Sequence, residues 1–315
     1  MADVKKIATR QSYGDALADL GDKFPLIVLD ADLSKSTKTD VFKKKFPERF
    51  INMGIAEANM MSTAAGLASC GKIVFASSFA MFAAGRAFEQ IRNSICYPNL
   101  NVKIGATHAG ISVGEDGATH QCLEDIGIMR TLPNMVIINP ADDVEAKAAM
   151  KAACEHNGPV YLRFGRLGVP VIFDEETYKF EIGKGVVLAQ GSDVTIVATG
   201  LMVEMALKAK DILADEGISA EVINIATIKP IDSELIAKSA SKTGAVVTCE
   251  EHNIIGGLGS AVAEVLVENN PVPMDRIGTR DVFGKSGTPA ALFKDYGLTP
   301  EAIVESAKKV IAKKA

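Results

Sequence analysis

RFINMGIAEANMMSTAAGLASCGKIVFASSF, residues 49–79, decides the fold class. The apolar run RFINMGIA gives way to a small-residue, alanine-rich stretch over 57–70, and then to a second run, KIVFASSF. Strand, helix, strand in that order is the pattern of a parallel sheet covered by helices. Strands buried on both faces lose the alternation that half-exposed strands show. The same rhythm extends outward. PLIVLDADL precedes the stretch, and NVKIGATH, NMVIINP and PVYLRFG follow it. Helices are expected at 86–96 and 143–156, the second opened by Asp142 or Asp143 as cap. The turn-rich RLGVPVIFDEETYKFEIGKG (166–185) breaks the alternation, which restarts with VTIVATG, a helix at 202–215, AEVINIATI, a helix at 233–241, AVVTCEE and a helix at 258–268. The expected fold is α/β: two stacked units, each a mostly parallel sheet flanked by helices. The boundary falls within 180–190, dividing the chain into 1–182 and 183–315.

At 315 residues and 48% hydrophobic content the chain can bury two cores. Its net charge of -5, with acids and bases interspersed, argues against a dedicated nucleic-acid or membrane-surface binder. Five scattered cysteines without CxxC spacing read as reduced, mostly buried thiols of a cytoplasmic protein. The N-terminal stretch has no apolar core of a signal peptide, and no run is long enough to span a membrane. The lysine-rich tail KKVIAKKA reads as a solvated helix end.

Chemistry in such sheets gathers at the carboxyl ends of strands. Glu57 follows the run Ile51–Ile55 at a corner expected to be buried. It either caps the helix or does chemistry; among Ile55, Ala56, Ala58, Met60 and Met61 its pKa is expected to rise, which suits proton sharing. DADLSKST (30–37) has the start of a calcium loop, but Lys35 stands where glycine is needed and Val41 where the bidentate acid belongs. It is either a turn capped by Asp32 or Ser34, or a loop offering hydroxyls and a carboxylate to a polar ligand. Phe79 and Phe82, three apart, are core packing or a platform for a planar ring. THAGISVGEDGATHQ (107–121) gathers His108, Glu115, Asp116 and His120 among three glycines. That set matches no zinc spacing and suits hydrogen bonding to a polyhydroxylated substrate. Arg163 and Arg166 in YLRFGRLG are phosphate ligands or members of a surface ion pair. His252 in EEHNIIGGLG precedes a glycine cluster that reads as a tight turn more than a phosphate site.

DADLSKST, RFINMGIAEANM, SSFAMFAAGRAFEQIR, THAGISVGEDGATHQ, YLRFGRLG, IKPID and EEHNIIGGLG, in this order over about residues 8–310, resemble the C-terminal half of transketolase. That family uses thiamine diphosphate. The resemblance implies a pyrimidine-binding domain followed by a small C-terminal domain. It makes Glu57 the activating glutamate that hydrogen-bonds the cofactor's aminopyrimidine nitrogen, Phe82 with Phe79 its stacking platform, and Asp32 a cofactor-proximal carboxylate. Asp116 then recognises a sugar hydroxyl, His120 lines the substrate channel, and Ser36, His108 and Arg166 hold the terminal phosphate. Gly85 departs from the tyrosine that many members carry after the two phenylalanines.

The family's GDG motif, which holds the diphosphate through Mg2+ or Ca2+, is absent; EDG at 115–117 and Asn269–Asn270 do not replace it. The resemblance therefore implies a separate N-terminal subunit carrying GDG and the metal, an α2β2 heterotetramer, sugar-phosphate substrates and two-carbon ketol transfer in the pentose phosphate pathway. The β subunit of 2-oxo-acid dehydrogenases resembles the chain in length and lacks GDG, but has no need of His108, Asp116, His120 and Arg166. Deoxyxylulose-phosphate synthase shares a RAFEQ-like loop and carries both halves on one chain. A non-catalytic paralogue would have no use for Glu57.

Overall fold

A computed structural model of the chain describes residues 5–314. Its strands, in chain order, are β1 (Lys6–Ala8), β2 (Leu26–Asp30), β3 (Phe50–Asn52), β4 (Ile73–Phe79), β5 (Val102–Thr107), β6 (Val136–Ile138) and β7 (Val160–Arg163), then β8 (Gly168–Pro170), β9 (Val186–Ala189), β10 (Val194–Ala198), β11 (Ala220–Asn224), β12 (Thr227–Lys229), β13 (Val246–Asn253) and β14 (Met274–Thr279). Seven of them form one sheet in the order β12-β6-β7-β5-β4-β2-β3, parallel except where β12 meets β6. Five form a second sheet, β14-β13-β10-β11-β9, parallel except for the edge strand β9. The small β1–β8 ribbon ties the start of the chain to the turn-rich stretch.

The α/β expectation holds, for a physical reason visible in the strands: β5, β6, β7, β10 and β11 are buried at every residue. Helix Met202–Asp215 spans the expected residues, and Asp142 caps helix Asp143–Glu155 by accepting from the Glu145 N–H at 2.8 Å.

Three local expectations are corrected. The run AEVINIATI is two strands: after Asn224 the chain leaves the second sheet and β12 pairs antiparallel with β6, so the two sheets share this segment. The helix expected at 86–96 begins at Met81 and runs as π-helical turns Met81–Arg86 and Ile91–Cys96 around a short α segment. Wide turns of this kind re-aim side chains and occur often at functional sites. The corner at Ile51–Ile55 is not buried, since Ile51 is 40% and Ile55 76% exposed at the edge beside β3. The tail is a solvated helix end as expected: helix Pro300–Ile311 carries exposed Lys308, paired with Glu216, and Lys309, paired with Asp275. Cys96, Cys122, Cys154 and Cys249 are buried thiols and Cys70 is exposed.

Candidate active site

The carboxyl ends of β2, β3, β4 and β5 deliver the loops that the sequence singled out, because a parallel sheet places all such ends on one edge. Glu57 is the first residue of helix Glu57–Ser69 and only 3% exposed. Its side chain makes no capping bond. Its partner is Arg86, whose Nη1 lies 3.4 Å from both carboxylate oxygens. The surroundings are therefore not purely apolar as the sequence implied. The Arg86 guanidinium also lies 4.5 Å over the Phe82 ring, so one planar cation covers both the aromatic face and the carboxylate.

Phe79 and Phe82 stack at 5.8 Å between centroids, at 16°. Phe79 continues the stack onto His108 at 3.8 Å, and His120 presents its edge to Phe82 at 5.3 Å. Glu57, Phe82, Arg86, Asp32 and His120 border one open cleft of about 320 Å³. Asp32 reaches it with a left-handed backbone (φ 63°) and accepts from Asn52 at 2.8 Å. It is not the turn's cap, and neither is Ser34. Asp30 takes that part, accepting from the Leu33 N–H at 2.6 Å and from Thr37 and Thr39 at 2.7 and 2.9 Å.

His108 sits behind the cleft, buried, between Arg10 and Thr107. Arg10 Nη1 lies 3.0 Å from His108 Nε2 and donates also to the Ser36 carbonyl at 3.0 Å. A guanidinium has only donors, so Nε2 must accept and the proton of the neutral ring sits on Nδ1, facing Thr107 Oγ1 at 2.9 Å. Burial, then the charges of Arg10 and Arg166, pull the His108 pKa down to about 3. The imidazole resonances of His108 are accordingly expected not to titrate between pH 5 and 8, as an NMR titration would read. The folded value lies below the unfolded one, so the unfolded chain takes up this proton first. Stability contributed at this position is then lost as pH falls from about 6.5 towards about 3.

Arg166 is half-exposed, donates to the Val113 carbonyl and lies 3.8 and 3.7 Å from Glu115 and Asp116. Ser36, His108 and Arg166 thus gather around Arg10, while Asp116 faces Arg166 and does not border the 320 Å³ cleft. Arg163 belongs to neither of its expected roles. It is buried, its Nε 2.9 Å from Asp125 Oδ2, which also accepts from Tyr161 at 2.8 Å. His252 is buried as well, taking the Gly127 N–H at 3.3 Å. At the GGLG turn the first two N–H groups of the helix are taken by the chain itself, because Glu250 accepts from Leu258 and Gly259 at 2.7 and 2.8 Å. Among the described residues no three His, Cys, Asp or Glu side chains converge to hold a metal ion.

Sequence reasoning missed Arg10 and left Arg86 without a role. Arg10 meets His108 across 98 positions and Arg86 meets Glu57 across 29, separations that no local pattern reports. The residues present suit the aminopyrimidine end of thiamine diphosphate once the exposed Arg86 side chain swings off them: a half-buried aromatic face and a buried carboxylate with no backbone donor border the same opening.

Comparison with known proteins identifies the family. The family model described as transketolase, pyrimidine binding domain, matches residues 5–171, and that of the transketolase C-terminal domain matches residues 183–303. A transketolase C-terminal section of Methanocaldococcus jannaschii is 56% identical over 94% of each chain. A 6-deoxy-6-sulfo-D-fructose transketolase subunit of Clostridium sp. (strain MSTE9) is 46% identical over 97% of this chain and 95% of that one. A solved structure described as a split gene transketolase, inactive beta4 tetramer, superposes with a TM-score of 0.92 at 58% identity, covering 98% of this chain and 100% of that chain.

Proposed function

Because the chain belongs to the transketolase family and carries its pyrimidine-binding and C-terminal domains, we propose that it is the C-terminal subunit of a two-chain, thiamine-diphosphate-dependent transketolase. The observation that carries the reading is Glu57: buried, free of backbone donors, and bordering one open cleft with the face of Phe82. In this reading 1–182 is the pyrimidine-binding unit and 183–315 the C-terminal unit. The bound cofactor would supply a carbanion-forming carbon that carries a two-carbon ketol unit from ketose to aldose.

The chain's own residues do the rest. Glu57 holds or releases a proton at the aminopyrimidine nitrogen, Phe82 backed by Phe79 fixes the ring plane, and Asp32 stands at the cleft rim. Arg10, Ser36, His108 and Arg166 take the terminal anionic group of the sugar. A neutral His108 contributes through Arg10, accepting from that guanidinium at Nε2 while its Nδ1–H faces Thr107, and not as a charge. His120, on the cleft, lines the substrate path, and Asp116, beside Arg166, recognises a sugar hydroxyl. A separate N-terminal subunit would bring GDG and Mg2+ or Ca2+, in an α2β2 assembly, and the pathway would be the cytoplasmic pentose phosphate pathway. No helix among the described residues is long and apolar enough to cross a membrane.

Mixing this chain with candidate GDG-bearing subunits, thiamine diphosphate and Mg2+, and following ketol transfer from xylulose 5-phosphate, tests the proposal. Absence of transfer with every such partner would overturn it. A parallel arm with 6-deoxy-6-sulfo-D-fructose is informative, because phosphate and sulfonate are both tetrahedral oxyanions that an arginine-rich pocket accepts. In the active pair, Arg166→Ala is expected to raise KM for phosphorylated ketoses roughly ten- to a hundredfold, as for loss of a charge-assisted hydrogen bond, with a smaller drop in kcat. Equal losses with unphosphorylated substrates would make Arg166 structural.

A further inference from the structure

Three buried ionisable residues end β13: Glu250, Glu251 and His252. Glu250 and His252 have the partners described above. Glu251 turns to the other sheet's loops. Its Oε1 accepts from the Ser112 N–H at 2.5 Å, across 139 positions of sequence. Gly110, at φ 84°, packs directly against the same carboxyl; a Cβ added there would lie 2.3 Å from Glu251 Cδ. Only glycine allows both this conformation and this approach.

The Glu251 backbone is pinned in turn. Its carbonyl accepts from Arg163 Nη2 at 2.9 Å, and Arg163 is itself fixed by Asp125. The loop that Glu251 touches runs from His108 to His120 and closes at its base through the Gly110 N–H to Cys122 carbonyl bond at 2.9 Å. Its far side is fastened to the second unit by Gln121, whose Nε2 donates to the Ile111, Gly114 and Lys285 carbonyls at 3.3, 3.1 and 3.0 Å.

We propose that Glu251 is a positioning residue for the substrate end of the site: from the second sheet it holds the Gly110–Ser112 turn, and so sets where His108, Asp116 and His120 stand. The C-terminal unit thereby takes part in substrate recognition, although among the described residues none of its side chains borders the Glu57–Phe82 cleft. The inference rests on the substrate-binding role given to that loop above. An isolated loop with three positive-φ glycines, Gly110, Gly114 and Gly117, would sample many conformations, and a buried acceptor at its first turn removes most of them.

The test compares Glu251→Ala, Glu251→Gln and Ser112→Pro in the full chain, by amide hydrogen exchange and, after reconstitution, by kinetics. Glu251→Ala is expected to speed exchange over residues 110–121 at least tenfold, with the strands of the seven-stranded sheet unchanged below the melting temperature. Glu251→Gln is expected to restore protection, since its amide oxygen still accepts from Ser112. Ser112→Pro removes the N–H together with the hydroxyl, at the second residue of a 3-10 turn where proline is tolerated, and is expected to reproduce the Ala result. In the active pair, Glu251→Ala is expected to raise KM for the sugar phosphate about tenfold or more, with kcat and thiamine diphosphate affinity within about twofold. Unchanged loop protection in Glu251→Ala or Ser112→Pro, or a Gln variant as loose as Ala, overturns the assignment. The exchange arm needs no catalysis, so a chain that fails to transfer ketol units but shows the loop release speaks against the functional reading alone.

Discussion

Glu57→Gln is expected to leave the fold almost unchanged while cutting ketol transfer by the reconstituted pair by about two to four orders of magnitude, the range for loss of a positioned acid–base group. The substitution keeps shape and volume, so the packing around Met60 and Met61 is preserved. It removes the charge that Arg86 faces at 3.4 Å, but that guanidinium is 55% exposed and water takes over its solvation. The stability change should therefore stay below about 1 kcal/mol. What an amide cannot do is gain and lose a proton opposite a ring nitrogen. Circular dichroism and a thermal melt check the first half, and single-turnover kinetics the second. Turnover near that of the parent chain would remove Glu57 from the mechanism.

The largest stability effect is expected at Arg163. Arg163→Ala should destabilise the chain by about 3–5 kcal/mol, the cost of leaving one member of a buried pair alone. Asp125 is fully buried, and its Oδ1 already lacks a hydrogen-bond partner. Burial would push its carboxyl above the ordinary range, but the Arg163 guanidinium, together with its other polar neighbours, holds it below. The folded value thus lies under the unfolded one, and the stabilisation is present above the unfolded pKa and lost as pH falls through the folded one. Without Arg163 the carboxyl is expected to rise and the loss to begin at higher pH. Urea unfolding at pH 7 and at pH 4 reads both. The double variant Arg163→Met with Asp125→Leu should recover much of the loss, because an apolar pair needs no desolvated charge. A single-variant change no larger than that of the exposed pair Lys151–Glu155 would refute the account.

The strand pattern, the Asp142 cap and helix Met202–Asp215 could be read from the sequence because each is written within a few consecutive residues. The residues of the candidate site were visible too: Glu57, Phe79, Phe82, His108, Asp116 and His120 are unusual side chains at strand ends, and motif order linked them. Other features depended on contacts between distant segments. Arg163 looked like a surface or ligand-binding arginine until β7 proved central and Asp125 lay opposite it. Asp30 and Asp32 differ by two positions, yet only the backbone shows that Asp30 ties the turn and Asp32 faces the opening. The strand AEVINIATI broke in two because the edge of the other sheet offered β12 a partner that local propensity does not register.

By itself, then, the sequence determined a two-unit α/β fold and which residue types stand at the working edge of the first sheet. Hydrophobic period and turn chemistry are local, and local information suffices for both. Tertiary structure alone decided the pairings: Arg86 with Glu57, Arg10 with His108, Arg163 with Asp125 and Glu251 with Ser112. Hydrogen bonds and charge pairs act over a few ångströms of space, and for these residues that space is closed only when segments 29 to 139 positions apart are packed together.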